Sequence, residues 1–207
     1  SVNGIMAAGM TYVIITAGID LSIGSMLALC GMVGSAAILF FSGASWAQIA
    51  SGNYIPLSSS AMFWGTVVGI LFGSFCGWVN GTLITRLKLA PFIVTLGTMS
   101  MFRGISYLMN DGKPFAVSDY TFLDIGTIGP FPSSVVILAA VLAAAAFVLN
   151  YTPFGRYTYA VGSNPETAFH AGIHVSRVLT AIYTLTGACT GLAAMITTSR
   201  ASSAQPT

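Results

Sequence analysis

Charge is what this chain has least of. Seven Lys and Arg and five Asp and Glu make up 6% of its 207 residues, against 55% hydrophobic ones, and the mean hydropathy is +0.84. Soluble domains carry about 25% charged residues. So low a share cannot cover a water-facing surface, which excludes a soluble globular domain and implies an integral membrane protein. No charged residue falls between Leu21 and Thr85, between Ile125 and Gly155, or between Val178 and Ser199. Each gap is long enough for at least one span of roughly 20 residues.

Other absences narrow the function. Cys30, Cys76 and Cys189 sit in apolar stretches without metal or redox spacing and read as small buried hydrophobes. The basic residues form no run, and a net charge of +2 gives no sign of a nucleic-acid partner. No G-x-x-x-x-G-K phosphate loop occurs, so ATP hydrolysis is not the work of this chain. No nucleophile–base constellation supports an intramembrane enzyme. His170 and His174 stand four apart, but Gly172 lies between them and no third ligand is evident, so no metal site is expected.

What is present reads as apolar helices. They run over residues 5–19, over 22–41 after an interruption at Asp20, and over 61–85, 92–109, 133–150 and 178–199. Polar connections fall at 42–60 (with Asn53 and Pro56), at 110–132 (with Asp111, Lys113, Asp119 and Asp124) and at 151–177. The expected fold is all-α: a polytopic transmembrane helix bundle with about six membrane segments, one domain over 1–207. The chain begins at Ser1 without methionine and ends on SSAQPT, as expected of a fragment of a longer protein.

Basic residues orient the spans. Arg86 and Lys88 lie two spans from Arg156 and Arg177, so both pairs belong on one side, the cytoplasmic one. The 110–132 loop then lies outside, and Arg200 falls outside against the bias.

Three features stand out. The third span carries Gly65, Gly69, Gly73, Gly77 and Gly81, each four residues after the last, a small-xxx-small stripe. It reads either as a tight, sliding helix contact or as ordinary membrane helix packing. In GIDLSIGS, Gly18 can break the first helix. Asp20 can cap the next by accepting from the backbone N–H of Ser22 or Ile23. Such a break lines a ligand path in some transporters and is a plain cap at the membrane surface in others, and both readings stand. The third feature is YAVGSNPETAFHAGIHVSRV. Gly162 and Ser163 suggest a turn, Asn164 an N-cap, Pro165 the first helical position, Glu166 an acid in the first turn and Gly172 a stop. That predicts a helix of about 164–172 within the cytoplasmic loop 151–177, with Ala168, Phe169 and Ala171 packed on something, since so short a helix does not stand alone in water.

Four stretches together resemble the permease subunit of ribose-type bacterial ABC importers, which carry monosaccharides: NGIMAAGMTYVIITAGIDLSIGS (3–25), PFIVTLGTMSMFRGISYL (91–108), GRYTYAVGSNPETAFHAGI (155–173) and SRASSAQPT (199–207). The resemblance covers about a third of the chain and implies a multi-pass protein of the bacterial plasma (inner) membrane, in the lipid bilayer. It implies pairing with a second permease copy or a paralogue, a cytoplasmic ATP-binding subunit and an external sugar-binding protein. The chain itself would bind no cofactor; ATP and Mg²⁺ belong to the partner ATPase. The match to GSNPETAFHAGI implies a coupling helix, with Gly162, Asn164, Pro165, Glu166, Ala168 and Gly172 as coupling residues. Phe169 and His170 depart from the polar or smaller residues usual in that family. Asp20, Ser22, Asn80, Thr95 and Thr98 are the candidate substrate path, as polar groups on apolar spans; interhelical hydrogen bonding is the competing use. The alternative function is a gradient-driven secondary transporter or channel, for which only Asp20 and Arg103 could serve an ion or proton relay.

Overall fold

The structure is a computed structural model that describes residues 1–45, 48, 55–120, 123, 127–128 and 131–206; Asn53 and Asp124 lie outside the described residues. Among the described residues there are eight helices: α1 (Val2–Ile15), α2 (Ile23–Phe41), α3 (Ser59–Leu87), α4 (Pro91–Leu108), α5 (Ser133–Tyr151), α6 (Pro153–Ser163), α7 (Pro165–His170) and α8 (Val175–Ala201). All six expected apolar segments are helices. Four of them, α2, α3, α5 and α8, are long and apolar enough to cross a membrane, and the bundle is that of a multi-pass membrane protein. α1 is shorter, about 21 Å at 1.5 Å per residue.

The bundle has two chemically distinct ends. At one, α3 stops at Leu87 with Lys88 in the left-handed region (φ 52), and the starts of α4 and α8 lie beside it. Arg86, Lys88 and Arg177 collect there. At the other end, Phe115–Ala116 pairs antiparallel with Ser203–Ala204, just past α8. The connection after α4 does not float free. Phe115, Val117 and Tyr120 are buried with Met32, Ile38 and Met195. The Tyr120 hydroxyl shares a 2.6 Å hydrogen bond with Thr66 Oγ1, and Ser199 donates to the Tyr120 carbonyl. Burial pushes the Tyr120 phenol up to about 12, so it stays protonated. Sequence reading took this stretch for a polar loop. Three buried apolar side chains make it a plug over the outer ends of α2, α3 and α8 instead.

α3 and α8 form the spine. Gly69, Gly73, Gly77 and Gly81 of α3 face α8, where Gly187 and Gly191 answer them. A Cβ at Gly73 would strike the Gly187 carbonyl, and one at Gly77 the Tyr183 carbonyl. One at Gly81 would stand 2.7 Å from the Thr180 Cα. Gly65 turns instead to α2, against Ile38. The stripe therefore serves two neighbours, and its backbones meet without side chains between them. α1 packs on α8 and α5, where Tyr12 donates to the Ala145 carbonyl at 2.6 Å. α5 is outermost, burying only Ser133 and Ser134.

One helix escaped the sequence reading. Gly162 and Ser163 do not form a turn; they close α6. Thr152 caps α6, its hydroxyl accepting from the Gly155 N–H at 3.5 Å, and Pro153 holds the first helical position. Gly162 is needed for close approach, because a Cβ there would strike the Ile15 carbonyl of α1.

Candidate functional site

α7 is shorter than expected, six residues and about 9 Å, but its ends are built as its sequence requires. Asn164 Oδ1 accepts from the N–H groups of Glu166 and Thr167, both at 3.0 Å. Pro165 begins the helix and Glu166 sits in the first turn, where the helix dipole favours an acid. At the other end Gly172 takes φ +84, its N–H bonding the Phe169 carbonyl, while the Ile173 N–H bonds the Ala168 carbonyl. That is the paired capping that favours glycine at this position. Of the three residues expected to pack, only Ala168 does, at 4% exposure; Phe169 is 66% exposed and Ala171 is exposed too. A helix of one and a half turns has a single inward position, and Ala168 occupies it.

Ala168 ties this helix to the bundle. It shares one apolar cluster with Val161 of α6, Tyr12 and Val13 of α1, Ile84 of α3, Val94 of α4, and Val178, Ile182 and Tyr183 of α8. α6 and α7 are thus seated against the ends of four helices of the bundle. Among the described residues no group of His, Cys, Asp and Glu could hold a metal ion.

The break between α1 and α2 lies above this cluster. α1 ends with Ala17 in the left-handed region (φ 55). The N–H groups of Ala17 and Gly18 bond the carbonyls of Ile14 and Val13, both at 2.9 Å. Ala17, not Gly18, therefore makes the break. Gly18 is small for another reason: a Cβ there would stand 2.9 Å from the Tyr183 hydroxyl. Tyr183 donates to the Ile19 carbonyl at 3.3 Å.

Asp20 then accepts twice at one oxygen. Its Oδ1 takes the Ser22 N–H at 2.9 Å, as expected, and the Ser22 hydroxyl at 2.6 Å; the N-cap of α2 is Ser22 itself, so Asp20 braces the residue before the helix and does not cap it. Asn80 of α3 donates from Nδ2 to Ser22 Oγ at 2.9 Å. Asp20, Ser22 and Asn80 thus form one buried polar cluster joining the break to α3, about 10 Å in from the end of α3 at 1.5 Å per residue. Thr95 and Thr98 are buried on α4 but bond carbonyls of their own helix, Pro91 and Thr95 respectively. The structure brings three of the five candidate path residues together and leaves the other two apart. A groove of about 780 Å³ lies elsewhere, between α3 and α8, with Trp78, Arg86, Arg177 and Thr180 among its walls; none of the five lines it.

Sequence reasoning missed Tyr183, which links α8 to the break, and it named Gly162 as a turn and a coupling residue without its contact on Ile15. Tyr183 looks like any aromatic in an apolar span. Its neighbour across the bundle, 164 positions away, has no trace in a linear pattern.

The whole chain, residues 1–207, matches the family described as branched-chain amino acid transport system / permease component. It is similar to the ribose import permease protein of Bacillus subtilis, 40% identical over 213 residues that cover 100% of this chain and 60% of the relative. The ribose import permease protein of Haemophilus influenzae is 37% identical over 213 residues, with the same coverage. The fructose import permease protein of Rhizobium meliloti is 34% identical over 217 residues, 100% of this chain and 56% of the relative. The chain spans about three fifths of the length of these relatives. No solved structure matches it.

Proposed function

The chain belongs to the family of branched-chain amino acid transport system permease components, and from that premise we propose that the full protein is the membrane-spanning subunit of an ATP-driven importer of a monosaccharide. The observation that carries the reading is α7: a capped helix, exposed on Glu166, Phe169 and His170, held at the basic end of the bundle through buried Ala168. A helix too short to stand by itself, fixed there, is a rigid lever for a soluble partner. The bias of Arg86, Lys88, Arg156 and Arg177 supports a cytoplasmic position for that end; in this reading the protein sits in the bacterial inner membrane with an ATP-binding subunit beneath it. ATP and Mg²⁺ belong to that subunit. A second permease copy or paralogue and an external sugar-binding protein complete the assembly. The relatives named for ribose and fructose import support a sugar rather than an amino acid as cargo.

The chemistry of the chain's own residues is mechanical. Displacing α7 moves Ala168 within a cluster that includes the end of α1 and Tyr183, and α6 bears on Ile15 through Gly162. Packed interfaces of this kind switch between discrete arrangements rather than deforming smoothly. Tyr183 hands the displacement to the break at Ile19. A gradient-driven transporter would need a relay in the membrane. Its two candidates are separated, Asp20 buried and Arg103 exposed on α4.

The test is uptake of labelled ribose and fructose by cells expressing the full operon-encoded assembly, with and without a hydrolysis-dead ATPase partner. Uptake lost with the dead ATPase supports the reading. Uptake that survives it and collapses with a protonophore returns the protein to the gradient-driven class.

A further inference from the structure

The groove of about 780 Å³ along the α3–α8 seam takes no part in the route from α7 to the break. Its floor follows from glycine. Gly77 and Gly81 let α3 rest on the backbone of α8 at Tyr183 and Thr180, so the helices meet there and the flanking side chains become walls. Those walls change chemistry along their length. At the basic end stand Arg86, in the last turn of α3, and Arg177, in the first turn of α8. Both are exposed, and among the described residues neither makes a hydrogen bond or an ion pair. Hydroxyls come next. Thr85 and Thr180 share a 3.2 Å hydrogen bond across the seam, while Thr82 and Ser176 have no side-chain partner among the described residues. Deeper in, Trp78, Leu185 and Ala188 make the walls apolar, and Ser74 returns its hydroxyl to the Ile70 carbonyl of its own helix.

The groove also has a definite depth. On α8 it runs from Arg177 to Ala188, about 16 Å, and on α3 from Arg86 back to Ser74, about 18 Å. Ala188 is the middle residue of Val175–Ala201, and Ser74 lies one residue from the middle of Ser59–Leu87. The groove therefore stops halfway along both helices, and half of a hydrocarbon core is about 15 Å. A further membrane-spanning helix would need a groove running the whole length. A free anion would need no apolar trough.

We propose that this groove binds one anionic phospholipid of the leaflet at the basic end. Arg86 and Arg177 hold the phosphate, Thr82 and Ser176 meet the ester region, and an acyl chain lies along Trp78, Leu185 and Ala188. The order of charge, hydroxyl and hydrocarbon along the walls is the order of groups in such a lipid, and basic pockets between membrane helices recognise anionic head groups. The assignment rests on the bundle crossing a membrane, and on nothing about the cargo or the ATPase.

The experiment uses full-length protein, purified in detergent and depleted of lipid. It is titrated with phosphatidylglycerol or with phosphatidylethanolamine of the same acyl chains, and binding is read by native mass spectrometry. Wild type is expected to bind phosphatidylglycerol roughly tenfold or more tightly than phosphatidylethanolamine. Arg86→Gln and Arg177→Gln should each weaken phosphatidylglycerol by roughly fivefold, and the double variant should bind the two lipids alike. Ala181→Trp fills the trough, where Ala181 is an exposed wall residue, and keeps both arginines; it should weaken phosphatidylglycerol with an unchanged melting curve. Glycerol 3-phosphate, the same anion without acyl chains, should not displace the lipid. Equal affinity of wild type for the two lipids overturns the proposal, and so does full selectivity in the double arginine variant. Displacement by glycerol 3-phosphate would make the groove a site for a free anion and overturns it as well. An Ala181→Trp protein that melts well below wild type, with neither lipid bound to wild type, means that another helix fills the groove.

Discussion

The Tyr183 hydroxyl of α8 donates to the Ile19 carbonyl in the break between α1 and α2, across 3.3 Å. The same ring is 1% exposed and packs in the cluster that holds Ala168 of α7. One side chain therefore bonds the broken helix within the bundle and belongs to the cluster that seats the short helix at the basic end. Tyr183→Phe removes the hydroxyl and keeps the ring. One hydrogen bond is worth about 1 kcal/mol, a factor of about five in an equilibrium. We expect sugar moved per ATP hydrolysed to fall by roughly that factor, with membrane insertion and basal ATP hydrolysis unchanged. Paired transport and ATPase assays in proteoliposomes check it; an unchanged ratio removes Tyr183 from the coupling route.

A glycine in the seam between α3 and α8 and a glycine outside it predict opposite outcomes for the same substitution. Gly77→Ala pushes a methyl into the Tyr183 carbonyl, where nothing but backbone can yield. A cost of about 1–3 kcal/mol follows. Gly104 on α4 has open space around its Cα, so Gly104→Ala gains helix propensity, up to about 1 kcal/mol. Melting temperatures of the purified variants should move in opposite directions.

These examples mark what the sequence could tell. Each of the six apolar segments was legible because a membrane span is long and nearly free of charge, and the cap of α7 was legible because Asn-Pro-Glu states its own geometry. Gly162 was misread as a turn: a glycine admitted for close contact with Ile15 and a glycine admitted for a left-handed residue look identical in sequence. For the same reason the helix break was assigned to Gly18 when Ala17 makes it. The polar cluster was half visible. Asp20 with Ser22 is a local contact two residues apart, whereas Asn80 joins it across 58 positions. The buried plug at Phe115–Tyr120 was invisible, since its side chains find partners only when α2, α3 and α8 are assembled.

The two helix stops give a matched pair of backbone predictions. Ala17 pays a steric penalty at φ 55 that glycine does not, while Gly172 at φ +84 meets no other atom that a Cβ would touch. Ala17→Gly is expected to stabilise the bundle by about 0.5–1 kcal/mol, and Gly172→Val to cost about 1–2 kcal/mol. Chemical or thermal unfolding of the two single variants reads the difference. Gly172→Val should also reduce transport more than its stability loss explains, because it disturbs the end of α7.

Neighbouring residues of α7 separate docking from folding. Ala168 is buried among α1, α3, α4 and α8, so Ala168→Glu puts a charge where no partner waits, and the protein should fail to assemble. Phe169 beside it is 66% exposed. Phe169→Glu leaves the cluster untouched, so insertion should be unchanged and folding stability should stay within about 0.5 kcal/mol of wild type. A large exposed aromatic on a fixed helix is nonetheless the kind of anchor that dominates an interface. Its loss is expected to weaken co-purification of the ATP-binding subunit by roughly tenfold or more. Glu166→Lys tests the same face by charge. It sets a cation in the first turn of α7 at a cost of about 0.5 kcal/mol and should uncouple ATP hydrolysis from transport. Pull-down of the ATPase with each full-length variant decides. Loss in Phe169→Glu and Glu166→Lys, with normal melting curves, makes α7 the docking helix. Full retention in both means the partner meets another surface, and α7 then serves only to cap the bundle.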